Sequence, residues 1–169
     1  MFFLNKENIE CLVDILNRET ELFNDILNVS KNKTKIIING DVKGLEKIIN
    51  LEQAMVLKIG KLEDEREKAL TNISKDLEGK EEELNISNLL KKLPKETANE
   101  LKECRFKIKE IIGEIKNTNV LNSKLIKDSL DFINFSVSLF SDSGVVSDNY
   151  DDIKGKDESK NASIFDIKL

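Results

Sequence analysis

The sequence predicts an all-α protein, namely an elongated antiparallel helical bundle or coiled coil of three long helices, with a short helical turn before the third and a disordered C-terminal tail. Helix breakers are rare, because the 169 residues include one Pro and seven Gly. Apolar residues recur at alternating steps of three and four along three long stretches, which is the period of a helix face. We therefore expect a helical bundle domain over residues 1–140 and a flexible tail over residues 141–169.

The first helix is predicted from about Asn5 to Ile38. Asn39 and Gly40 can supply the left-handed residue that ends a helix, and Asp41 can cap the next one. The first two helices should therefore form an antiparallel hairpin. The residues that share the apolar face of the first helix are Ile9, Leu12, Val13, Leu16, Phe23, Ile26 and Leu27.

The second helix should begin at Val42, and its apolar seam contains two charges, Glu52 and Arg66. They are about four helical turns apart and cannot pair with each other. Each needs a partner on another helix or in a ligand, so they either set the register of the bundle or contact a binding partner directly. The whole coiled-coil-like seam is Leu45, Ile48, Glu52, Met55, Ile59, Leu62, Arg66, Ala69, Ile73 and Leu77.

A second turn is expected in the charged residues 77–85, followed by one or two helical turns, with Pro94 in the first turn of the third helix. That helix, residues 94–140, would extend about 70 Å and outrun its neighbours by about 15 Å or more, unless it breaks within residues 116–122. Its seam is apolar in the first half and partly polar in the second: Leu101, Cys104, Ile108, Ile111, Ile115, Thr118, Asn122, Leu125, Ser129, Phe132, Ser136 and Leu139.

The second half of the third helix carries more apolar residues than a half-polar seam would use for internal packing. Phe132 and Phe135 project to different faces, so that one could pack in the bundle while the other stays exposed. We therefore predict that this half forms the main partner surface, through Leu125, Ile126, Phe132, Ile133, Phe135 and Leu139.

Residues 141–163 are dense in Asp, Ser, Gly and Lys and have almost nothing to bury. Such a segment cannot offset the entropy lost on ordering, so it should be disordered when free. The tail has few side chains that could anchor it to another surface, and these are Tyr150, Ile164, Phe165, Ile167 and Leu169.

Composition argues against several classes of function. The chain has no His, the commonest general base and transition-metal ligand, and two distant Cys cannot form a zinc site. We therefore expect no catalytic residue, no cofactor and no metal. The net charge of −5 gives a phosphate-binding surface no electrostatic support, so nucleic acid is not expected as a partner.

The N-terminal stretch "MFFLNKENIECLVDIL" lacks the basic region of a signal peptide, and no apolar run is long enough to span a bilayer. We expect a cytoplasmic protein that does not insert into membranes. Cys11 and Cys104 should be reduced thiols in or beside the core, with a disulfide between them as the alternative.

Three stretches share an ordered set of residues with a known family. In "KTKIIINGDVKGLEKIINLEQAMVLKIGKLEDEREKAL", residues 33–70, a Lys and aliphatic residues precede a small-residue turn, and the next helix carries Glu52-Gln53 and then Leu62, Glu63 and Arg66. The stretches "LVDILNRETELFNDIL" and "NVLNSKLIKDSLDFINFSVSLF" complete the set. Together they resemble the FlgN family of flagellar export chaperones over about residues 12–140.

The resemblance implies a cytoplasmic, non-enzymatic chaperone of flagellar type III export. Such a chaperone binds the aggregation-prone terminal helices of hook-associated proteins, which form the hook–filament junction, keeps them monomeric and brings them to the flagellar export apparatus. The tail anchors would then cover the apolar groove of the free chaperone or contact the export apparatus, and an inert tail is the alternative. A structural coiled-coil protein that self-associates is a second function that fits the seams.

Overall fold

The computed structural model describes residues 5–76 and 86–142. They form four helices: α1 (Lys6–Ile38), α2 (Val42–Asp76), α3 (Ile86–Leu90) and α4 (Lys95–Asp142). No strand occurs in either described range, which confirms the predicted all-α fold. The predicted second turn and the tail from residue 143 lie outside the described residues.

The chain divides into two compact units, residues 1–122 and residues 123–169. The first unit contains α1, α2, α3 and the part of α4 that ends at Asn122. The described part of the second unit is the remainder of α4. α4 is helical without interruption through residues 116–122, so the break considered there does not divide it.

The turn between α1 and α2 has the predicted chemistry. Gly40 has a φ of 67°, the left-handed conformation that closes a helix. Its N–H donates to the Ile37 carbonyl (3.1 Å), and the Asp41 N–H donates to the Ile36 carbonyl (3.2 Å), so two carbonyls at the end of α1 are satisfied. Asp41 Oδ1 then accepts a hydrogen bond from the Gly44 N–H at 2.9 Å, which caps α2.

α1 and α2 form the predicted antiparallel hairpin. Asn8 near the start of α1 donates to Asp76 at the end of α2 (2.7 Å), and Lys33 near the end of α1 contacts Glu52 in the first half of α2 (2.8 Å). Every described seam position of α2 is buried or half-buried, as its spacing predicted. α1 contributes the largest apolar share of the core, with Ile9, Leu12, Ile15, Leu16, Phe23, Ile26 and Leu27.

Within the first unit α4 runs parallel to α1. The Cys104 thiol donates to Asn17 Oδ1 (3.5 Å), and Asn122 Nδ2 donates to the Ser30 carbonyl (3.0 Å), so residue numbers rise together along both helices. α1, α2 and α4 therefore alternate in direction, as in an up-and-down helical bundle. The apolar residues that α4 buries are Ala98, Leu101, Cys104, Ile108, Ile112 and Ile115.

Two details of α4 differ from the prediction. The helix begins at Lys95, so Pro94 lies just before it, and the Pro94 carbonyl accepts a hydrogen bond from the Ala98 N–H at 2.9 Å. A residue without an N–H fits this capping position as well as the first turn, which explains the one-residue error. Ile112 is buried whereas the predicted Ile111 is half-buried, because residues three and four positions after Ile108 flank the same face.

The short helical turn expected before α4 is α3, and its Leu89 is buried in the core. Arg105 of α4 donates to the Ser87 hydroxyl at 2.8 Å, which ties α3 to α4. Both cysteines are free thiols, with Cys11 exposed and Cys104 buried. None of the helices in residues 5–76 and 86–142 combines the length and the apolar character needed to span a bilayer.

Candidate functional site: an exposed apolar face on α4

In the second unit, α4 exposes large apolar side chains. Phe132 is 70% exposed, Phe135 59% and Leu139 54%, although these are residue types that proteins usually bury. Of residues 127–141, Ser136 alone is not exposed. The nine residues that we call the α4 apolar face are Leu125, Ile126, Leu130, Phe132, Ile133, Phe135, Val137, Leu139 and Phe140.

The apolar and polar residues of this part of α4 are segregated around the helix. The nine apolar residues share one side, because their spacings of three, four and seven residues return to similar directions. Asp128 is the one charged residue that falls among them, near one edge. The opposite side is polar and consists of Lys124, Lys127, Asp131, Asn134 and Ser138. This half of α4 is therefore an amphipathic helix with a continuous apolar surface.

Two serines lie within the α4 apolar face, and their hydroxyls are satisfied by the helix itself. Ser129 Oγ donates to the Leu125 carbonyl (2.8 Å), and Ser136 Oγ donates to the Phe132 carbonyl (2.9 Å). A buried hydroxyl without a partner would cost free energy, but these two keep their hydrogen bonds when another molecule covers them. An apolar partner can therefore cover the whole face.

The six residues predicted as a partner surface all lie on this face. Phe132, Ile133, Phe135 and Leu139 are exposed, and Leu125 and Ile126 are half-buried. Phe132 and Phe135 do not project to different faces as predicted, because residues three positions apart share one side of a helix, and both are exposed. Sequence reasoning missed Leu130, Val137 and Phe140. A signal for them was present, because Phe140 lies seven residues after Ile133 and Val137 lies seven residues after Leu130.

The two seam charges of α2 lie against α1. Arg66 Nη1 is 3.0 Å from Glu19 Oε2, with the Arg66 side chain 13% and the Glu19 side chain 2% exposed. Glu52 Oε2 is 2.8 Å from Lys33 Nζ, and this pair is also largely shielded from solvent. Both charges therefore have partners within the α1–α2 hairpin, and Glu19 is a buried acid that sequence reasoning missed.

Burial controls the protonation of Glu19. It raises the pKa of the Glu19 carboxyl from 4.5 to about 7, because the charged form is costly to remove from water. The positive charge and hydrogen bond of Arg66 oppose this effect, whereas nearby Glu63 adds to it. The Glu19–Arg66 pair is thus a desolvated contact that fixes how α2 sits on α1, and its carboxyl has a pKa of about 7.

A second buried polar contact joins α1 to α4. Asn122 is 2% exposed, and besides donating to the Ser30 carbonyl it accepts a hydrogen bond from the Thr34 hydroxyl at 2.6 Å. The Ser30 hydroxyl is buried and has no hydrogen-bond partner among the described residues. A single amide inside an apolar seam favours one register over others, because shifting the helices would leave it unpaired.

The predicted tail anchors lie outside the described residues: Tyr150, Ile164, Phe165, Ile167 and Leu169. Their proposed docking role rests on the sequence.

Comparison with known proteins relates nearly the whole chain to one family. A family model described as FlgN protein matches residues 1–158. The chain is 27% identical over 130 residues to the uncharacterized protein YvyG of Bacillus subtilis (strain 168), a match that covers 77% of this chain and 79% of that protein. No solved structure matches the chain.

Proposed function

We propose, from the premise that this chain belongs to the FlgN family, that it is a flagellar export chaperone whose partners are hook-associated proteins. It binds their terminal helices in the cytoplasm, keeps the proteins monomeric and brings them to the flagellar export apparatus. The observation that carries the proposal is the α4 apolar face. A chaperone for amphipathic helices needs an apolar helical surface that its own fold leaves exposed.

Covering the α4 apolar face supplies the free energy of binding. A large apolar side chain that passes from water into a packed interface contributes roughly 1.5–3 kcal/mol. Association costs about 4–15 kcal/mol in lost freedom, so several such side chains must be covered together. Seven of the nine residues of the face are exposed, and all seven lie on one helix. A cargo helix that covers them also removes its own apolar stripe from water, which keeps the cargo from aggregating.

The first unit contains a core that does not use the face. Leu12, Leu16, Ile108 and Ile115 are almost completely buried there, and none of the nine face residues is part of that core. In this proposal Glu52 and Arg66 hold α2 on α1 and do not contact the cargo. The face can therefore be changed by mutation without removing the core that supports the bundle.

Binding and delivery of this kind need no covalent chemistry. Apolar contact is non-directional and reversible, so the cargo can be released when the export apparatus competes for it. The proposal therefore assigns no catalytic residue and no cofactor to the chain. Surface charge has no direct part in cargo recognition either, because the apolar arc holds a single charged residue, Asp128.

A structural coiled-coil protein that self-associates is the second candidate, since a second copy of α4 could also cover the face. Light scattering coupled to gel filtration separates the two. Without cargo, the 19.3 kDa chain should elute as a single species of defined mass. With a hook-associated protein from the same organism, it should elute as a complex that contains both proteins. A stable dimer or higher oligomer that ignores the cargo would establish the structural function instead.

A further inference from the structure

The α4 apolar face is wider than one packed helix requires. At about 100° per residue, it covers an arc of about 220°, from Phe135 through Phe132 to Leu130. The residues that α4 buries inside the first unit, from Cys104 through Leu101 to Ala98, cover an arc of about 120°. The same helix therefore exposes almost twice the apolar width that packing within its own bundle uses.

Eight of the nine residues of the α4 apolar face fall into two seams, and Phe140 lies between them. Stripe 1 contains Leu125, Phe132, Phe135 and Leu139, and stripe 2 contains Ile126, Leu130, Ile133 and Val137. Within each stripe the residues are three, four or seven positions apart, the spacing by which a helix packs against one neighbour. The centres of the stripes are about 145° apart around the helix, so a single helix on one stripe leaves the other in water.

Stripe 2 repeats the spacing by which α4 packs in the first unit. Ile126 follows the buried Asn122 by four residues and Ile133 follows Ile126 by seven, so at about 100° per residue both return to the directions of the buried Ile108 and Ile115. A helix is therefore the occupant that fits stripe 2. Stripe 1 has the same kind of spacing, so its occupant is a helix as well.

We propose that the α4 apolar face binds two amphipathic helices of one partner at the same time, one on each stripe. This rests on the proposed function and names the form of its cargo: a pair of helices rather than a single one. Two helices that belong to one molecule lose translational freedom once, so the second stripe is covered with little further cost. Asp128 lies within stripe 1, and its charge and those of Lys124, Lys127 and Asp131 on the polar side sum to zero, so the pair is recognised by its apolar faces.

The test measures binding of a labelled hook-associated protein fragment in which the N-terminal and C-terminal helical segments are joined by a flexible Gly/Ser linker. The full chain is compared with L130S/V137S in stripe 2 and F132S/L139S in stripe 1. K127S/D131S is the matched control, because it changes two exposed residues on the polar side and keeps the net charge. Circular dichroism should show equal helix content in all four proteins, since every substituted residue is exposed.

Each stripe variant should weaken binding of the linked probe by about tenfold or more, while the control binds like the parent. A loss in F132S/L139S with unchanged binding in L130S/V137S would overturn the two-helix proposal and leave the proposed function intact. Unchanged binding in both stripe variants would refute the proposed function itself. If the free chain is a dimer and L130S/V137S makes it monomeric without weakening the probe, stripe 2 binds a second copy and the proposal fails.

Discussion

Replacing Arg66 by Met tests whether the Glu19–Arg66 pair is desolvated and holds α2 on α1. The substitution keeps a long apolar side chain and removes the only charge within 4.0 Å that pairs with the Glu19 carboxylate in the described residues. Because Glu19 is 2% exposed, water cannot replace Arg66. Breaking a buried pair in this way costs about 3–5 kcal/mol when the remaining group is charged. We expect R66M to lower the free energy of unfolding at pH 8 by up to that amount, since protonation of Glu19 relieves part of the cost.

The loss should be smaller at pH 6. Burial raises the pKa of Glu19 to about 7 in the folded protein, above the ordinary value of 4.5. A carboxyl with a raised pKa stabilises the folded protein fully below about pH 4.5, where it is protonated in both states. This contribution to the free energy of unfolding, about 3 kcal/mol in total, is lost as the pH rises from 4.5 through 7. Without Arg66 the pKa of Glu19 rises further, so the variant holds a neutral carboxyl at pH 6 and avoids the cost of a buried unpaired charge.

Urea unfolding followed by circular dichroism at pH 6 and pH 8 measures these differences. Arg18→Met is the matched control, because Arg18 contacts Glu65 at 2.8 Å with both side chains exposed, and its loss should have little effect. The double variant E19M/R66M should recover most of the stability lost in R66M. If R66M costs no more than R18M at pH 8, or if its cost does not grow with pH, the pair is not desolvated and the reasoning fails.

Three further predictions concern single features of the chain. Gly40→Ala should cost about 1–2 kcal/mol in urea unfolding, because Gly40 is left-handed, and Gly40→Asn should cost clearly less; equal stability of the two would contradict this. Asn122→Ala should cost about 1–3 kcal/mol by removing both hydrogen bonds of its buried amide, and a gain in stability would show that the amide is dispensable. Truncation after Phe140 should leave cargo binding intact while export of the cargo in cells falls, whereas normal export would mark the tail as inert.

Local signals made the helices and the first turn predictable. The bounds of α1 follow from Asn5, whose side chain caps the start of the helix, and from Gly40, whose left-handed backbone ends it. The structure places both bounds within one residue of the prediction. The seam of α2 was also correct at every described position, because its three-four spacing runs without a break. Patterns of this kind need no knowledge of the partner helix.

The partners of Glu52 and Arg66 depend on the register between α1 and α2, which spacing within one helix does not give. The position of the turn in the sequence nevertheless indicates that register. The pairs Lys33–Glu52 and Glu19–Arg66 are symmetric about the same point of the chain, just after the turn, as an antiparallel hairpin requires. Reflecting α2 onto α1 about that point would have identified Glu19 as the partner of Arg66.

The exposure of the α4 apolar face could be predicted only in part. Spacing shows that Leu125, Phe132 and Leu139 share a side of the helix, but it does not show whether the same chain or another molecule covers them. For this reason the sequence allowed Phe132 or Phe135 to be in the core, and the structure shows both exposed. Stripe 2 was only half recognised because the predicted seam followed seven-residue steps to Leu125, Phe132 and Leu139. At 3.6 residues per turn, Leu130 and Val137 instead return to the directions of buried residues such as Ile112 and Leu101.

The most direct test of the account compares cargo affinity and stability in F135S/L139S, with K127S/D131S as the control. Phe135 and Leu139 are both more than half exposed, so their loss should leave the melting temperature within about 2 °C of the parent. Titration with the terminal helices of a hook-associated protein should show affinity lowered by about tenfold or more in F135S/L139S and unchanged in the control. Unaltered affinity in F135S/L139S, or a large drop in its melting temperature, would contradict the claim that the α4 apolar face is the cargo site.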